Sequence, residues 1–111
     1  MRNQILAAAA SAALVLSLSS PALAGDRDNA RVAIAAAKAK VDLNEKNGVT
    51  GEAADIQSRA RIALDKAQHE FDKSDEDTAI AAAKEANALA ELASSTQQKQ
   101  LIQNQTATLN Q

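Results

Sequence analysis

The sequence predicts an all-α fold: a three-helix antiparallel bundle, or a helical hairpin with a third helix packed on it, after a cleaved signal peptide. Three observations predict it. Alanine supplies 28 of the 51 hydrophobic residues in a chain of 111, and alanine is the strongest helix former. After Gly25 there is no proline, and glycine occurs only at Gly48 and Gly51, so strong helix breakers are confined to one stretch. Apolar residues recur at steps of three and four through segments near 27–47, 51–73 and 75–103, the spacing of a helix face.

The chain opens with an export signal, expected over residues 1–24. Arg2 supplies a positive start, Ile5 to Leu18 is an uncharged apolar stretch, and Ser19-Ser20-Pro21 breaks it ahead of Ala22-Leu23-Ala24. This is the three-part layout of a secretory signal with a small-x-small cleavage site. The apolar stretch falls short of the roughly 20 residues that span a bilayer. Cleavage is expected after Ala24, giving a soluble periplasmic protein with no membrane span in its mature form. Leu23-Ala24-Gly25 resembles the start of a lipobox, but Asp26 stands where the lipid-bearing cysteine belongs, so no lipid anchor is expected.

The first helix, near 27–47, carries apolar residues on two sides. Ala30, Ile34, Ala37 and Val41 form one stripe; Val32, Ala36, Ala39 and Leu43 form another, roughly opposite. Asn47-Gly48-Val49-Thr50-Gly51 ends it, because Asn and Gly tolerate the left-handed conformation of a helix C-terminus, and Thr50 suits the cap of the next helix. The second helix has one stripe of ordinary width, Ala53, Ile56, Ala60, Ala63, Leu64, Ala67 and Phe71. Asp72 to Asp77 forms the second break, with Ser74 and Asp77 spaced as a capping box. The third helix has a broad arc, Ala79, Ala82, Ala86, Leu89, Ala90 and Ala93, widened by Ala81, Ala88 and Leu92. The helical domain is expected over 25–105, with 106–111 a flexible polar tail. The segment from Ala30 to Asp42 also echoes that from Ala60 to Asp72 at an offset of 30 residues.

Composition narrows the function. Without cysteine there is no disulfide, thiolate metal site or cysteine nucleophile. One aromatic residue, Phe71, offers no platform for bases, and the mature net charge of −3 (11 Lys and Arg against 14 Asp and Glu) disfavours nucleic acid. The only histidine, His69, has Asp65 and Asp72 within a helical turn; this grouping reads as a solvated face, since a lone imidazole with exposed carboxylates gives a metal little selectivity. Asp75-Glu76-Asp77 lacks the glycine bend of a calcium loop and suits a helix N-terminus. Asp42 with Lys46, and Asp55 with Arg59, are spaced as ordinary ion pairs along a helix. No catalytic, cofactor-binding or metal residue is expected.

Ala60-Arg61-Ile62-Ala63-Leu64-Asp65-Lys66-Ala67, the turn Lys73 to Asp77, and the spaced Ala79, Ala83, Ala86, Ala90 and Ala93 resemble domain-of-unknown-function family 4398. The resemblance runs from about Ala30 to Ser95 and implies a small exported helical domain of the bacterial cell envelope. The chain departs from the family in lacking the lipobox cysteine, an Ala-Pro turn before the second helix, and a tyrosine near the second turn; it shows no appended peptidoglycan-binding domain. The expectation is therefore a non-enzymatic periplasmic protein whose partner is another envelope protein or itself, as a homo-oligomer. The alternative is a periplasmic holdase-type chaperone.

Overall fold

The structure, a computed structural model, describes residues 25–110. The expected signal peptide and its cleavage site at Ala24 lie outside the described residues, as does Gln111. The described chain is three helices, α1 (Asp26–Asn47), α2 (Gly51–Asp72) and α3 (Glu76–Leu109), all packed against one another. Short turns make α1 and α2 antiparallel and α2 and α3 antiparallel, so α1 and α3 run in the same direction. This is the expected all-α three-helix bundle, with α1 set against both members of the α2–α3 pair.

Both turns are closed by left-handed residues. Gly48, at φ 74°, donates its N–H to the carbonyls of Asn44 and Glu45, and Gly51 begins α2 at φ 60°. In the second turn Ser74 takes φ 65°, with its N–H on the Phe71 carbonyl and the Asp75 N–H on that of Glu70. That is the paired hydrogen bonding of a Schellman ending, with serine where glycine is usual. Ser74 is therefore the residue that ends α2, and the cap of α3 is Asp75, whose carboxylate accepts from the Thr78 N–H. The expected capping box is displaced by one residue because Ser74 is committed to the left-handed conformation.

Thr50 does occupy the N-cap of α2 but makes no side-chain cap. Two glutamines of α3 cap the helix from across the bundle instead. Gln97 Oε1 accepts from the Thr50 N–H, Gln100 Oε1 accepts from the Ala53 N–H, and Gln100 Nε2 donates to the Thr50 carbonyl. Orphan donors of a helix start need acceptors, and here the Gln-rich segment supplies them.

The core is built from methyl groups. Its central cluster is ten alanines with Ile34, Val41 and Leu64, and Phe71, Ile80 and Leu89 close it at the margins. Among the described residues, Val41 is the largest fully buried side chain. The echo at 30 residues is a match of core to core: Ala30, Ile34, Ala37 and Val41 are buried in α1, as are Ala60, Leu64 and Ala67 in α2, with Phe71 half-buried.

α3 is longer than its neighbours. At 34 residues it measures about 51 Å, against about 33 Å for a 22-residue helix. Once Gln100 has reached α2, Leu101 to Leu109 project past the α1–α2 turn, exposed throughout. Residues 106–109, expected in a polar tail, continue the helix. No glycine or proline interrupts the segment, so backbone hydrogen bonding continues without an apolar stripe to pack.

Candidate functional site

Three polar features hold the bundle in register and define which surface is left over. The first is buried. Asn44 follows Val41 on the core face of α1, and Gln57 lies beside Ile56 on that of α2. Asn44 Nδ2 donates to Gln57 Oε1 at 2.9 Å and to the Ala90 carbonyl of α3 at 2.8 Å; Gln57 Nε2 donates to the Val41 carbonyl at 2.8 Å. Each side chain is only 5% exposed. Two amides thus join all three helices, and both stand at core positions of the apolar period. Their signal in the sequence is that polar residues occupy places where the spacing calls for alanine.

The second feature closes the far end. Arg27 of α1 donates from Nη1 to the Phe71 carbonyl at 3.1 Å and to Glu76 Oε2 at 3.0 Å, and its guanidinium lies 3.8 Å from the Phe71 ring centroid. One arginine therefore ties the start of α1 to the α2–α3 turn, combining an ion pair with a cation–π contact.

The third is an ion-pair cluster between α1 and α2. Arg61 reaches Glu45 at 2.6 Å and Asp42 at 3.1 Å, and Lys38 reaches Asp42 at 2.7 Å. Hydrogen bonds from Lys38 and then Arg61 hold the Asp42 carboxyl below its usual range; Arg61 does the same for Glu45. Arg61 in turn holds its own proton more firmly, chiefly through Glu45. Asp42 thus pairs with Lys38 and Arg61, while Lys46, its expected partner, has no ion-pair partner among the described residues, and neither does Asp55 with Arg59.

Both carboxylates titrate lower in the folded chain than in the unfolded one, so their stabilisation is present above the ordinary carboxylate range and disappears as pH falls through and below it. Arg61→Gln is expected to lower Tm at pH 7 and to flatten the decline of Tm with acid. The wild-type and variant curves should converge as pH falls below the ordinary carboxylate range. Melting curves followed by circular dichroism across pH 2–7 check this.

His69 is exposed on α2, as are Asp65 and Asp72, and Gln68 Nε2 donates to Asp72 at 3.1 Å. No group of three or more His, Cys, Asp or Glu that could hold a metal ion occurs among the described residues. In the acidic run, Asp75 caps α3 and Glu76 pairs with Arg27.

What remains is the outer surface. Of the two apolar stripes on α1, Ala30, Ile34, Ala37 and Val41 enter the core, while Val32, Ala36, Ala39 and Leu43 face outward. Val32 is 58% and Leu43 55% exposed. On α3 the widening residues Ala81, Ala88 and Leu92 are likewise outside. Leu43 edges a groove between α1 and α3 that continues along Lys40, Glu91, Ser94 and Ser95, with Lys40 and Glu91 paired across it. Leu101, Gln105 and Leu109 line a shallow depression on the projecting end of α3. No helix among the described residues is long and apolar enough to cross a membrane.

Fold and surface together define an alanine-packed three-helix bundle with an apolar outer face. Compared with protein-family models, curated proteins and solved structures, the chain matches none.

Proposed function

We propose that the protein is a non-enzymatic interaction module of the periplasm, which binds another envelope protein or itself through the outer face of α1. The observation that carries this reading is the second apolar stripe of α1, Val32, Ala36, Ala39 and Leu43, which the bundle leaves in water although the first stripe already satisfies the core. A contiguous exposed apolar face marks an interaction surface in a small domain. The export signal of residues 1–24 and the resemblance to family 4398 support the envelope setting.

Site-specific photocross-linking in intact cells tests the proposal. A photoreactive side chain at Ala36 should give discrete adducts, and one at the exposed Asp65 of α2 should give none. Equal labelling at the two positions, or none at either, overturns it. A holdase would instead give a smear of adducts at Ala36 that grows on heat stress.

A further inference from the structure

We infer that the partner of the outer α1 face is a second copy of this chain, docked α1 against α1 in antiparallel orientation; this rests on the interaction reading above and commits it to one occupant. Three observations carry the inference.

The stripe has the steps of a coiled-coil seam. Val32, Ala36, Ala39 and Leu43 are separated by four, three and four residues, the alternation that keeps one seam facing a partner helix.

The stripe also reads the same in both directions. Large residues stand at its ends and alanines at its centre, so turning one helix end for end sets Val32 against the partner's Leu43 and Ala36 against the partner's Ala39. That self-complementarity is what a two-fold interface requires. Alanine at the crossing allows the axes to approach the low end of the 8–10 Å range, while Val32 and Leu43, each more than half exposed, cover the two ends.

Charge then selects the orientation. Asp28 and Lys46 are 18 residues apart, about five turns, so both sit at the same edge of the stripe, one beyond each end. Antiparallel docking brings Asp28 beside the partner's Lys46, twice by symmetry. Parallel docking sets the two Asp28 at one level but on opposite flanks of the seam, with Lys46 about five turns away, so neither charge gains a partner. Lys46 has no intramolecular ion pair among the described residues, and Asp28 is held only by the exposed Arg31 one turn away, at 3.1 Å. The monomer also has reason to dimerise: among the described residues no side chain larger than valine is completely buried, and small domains with so little bulky core gain from association.

The sequence contains no cysteine, so engineered thiols report orientation without background. Ala36→Cys and Ala39→Cys, made separately and mixed in equal amounts, should oxidise mainly to the mixed 36–39 disulfide, read by mass spectrometry. Disulfides that form mainly 36–36 and 39–39, or in statistical proportion, overturn the antiparallel pairing. In light scattering, Ala39→Glu should weaken the wild-type dimer by about tenfold or more, with helix content and dilute-solution Tm unchanged because position 39 is exposed in the monomer. A wild type that stays monomeric at all soluble concentrations overturns self-docking. If Ala36 nevertheless yields a discrete adduct with a different protein in cells, the interaction reading stands without it; if it yields none, both fall.

Discussion

Asn44→Ala is expected to lower stability by about 2–4 kcal/mol, the range for leaving a buried polar group unpaired together with a small cavity. The change removes the donor that Gln57 Oε1 and the Ala90 carbonyl share. Gln57 then has an acceptor in the core that has lost its protein donor. Replacing both amides by apolar residues of similar volume, Asn44→Leu with Gln57→Met, should recover most of the loss, because no orphaned group remains. Urea denaturation followed by circular dichroism measures both. A double variant as unstable as Asn44→Ala would mean that the amides act through shape alone. Recovery would identify the network as a device for register: in a core of near-identical methyl groups, sliding one helix past another changes little apolar contact, whereas the three hydrogen bonds form in only one alignment.

The same point explains what could be read from the sequence. Ala30, Ile34, Ala37 and Val41, and likewise Ala53 through Ala67 of α2, declared their burial by spacing, because periodicity depends only on residue type and position. Gly48 declared the first turn for a similarly local reason. The capping of α2 was not legible. Gln97 and Gln100 lie almost 50 residues from the Thr50 and Ala53 groups that they satisfy, and nothing local says that a glutamine will reach a neighbouring helix. Ser74 misled for a related reason: Ser followed by Asp three residues on fits a cap, but the geometry of the preceding helix ending claimed the serine first. The candidate surface was half legible. The excess apolar width of α1 was visible as two stripes, but which stripe the bundle would take depended on how α2 and α3 pack. Ala83 shows the limit on α3. It is fully buried, yet in so alanine-rich a helix the edge of the core arc has no chemical marker.

Ala83→Leu is expected to cost about 2–3 kcal/mol, towards the upper end of what overpacking a well-filled core does. Leucine forms helix nearly as well as alanine, so the loss measures packing and not propensity. Ala88→Leu, on the exposed side of the same helix, supplies the control and should change stability by no more than about 0.5 kcal/mol. For a domain of this size, the first substitution lowers Tm by roughly 10–20 °C. The mechanism is separation of the axes. Ala83 lies two turns before Ala90 on the core face of α3, so moving α3 outward there also lengthens the 2.8 Å bond from Asn44 to the Ala90 carbonyl. The two perturbations therefore share a structural consequence, and Ala83→Leu combined with Asn44→Ala should cost less than the sum of the two alone. Full additivity would show that the alanine contacts and the amide network fix the helix positions independently. A cost at Ala83 no greater than that at Ala88 would show that the helices are not held close by their alanines, and the close-packed bundle inferred from the core would have to be abandoned.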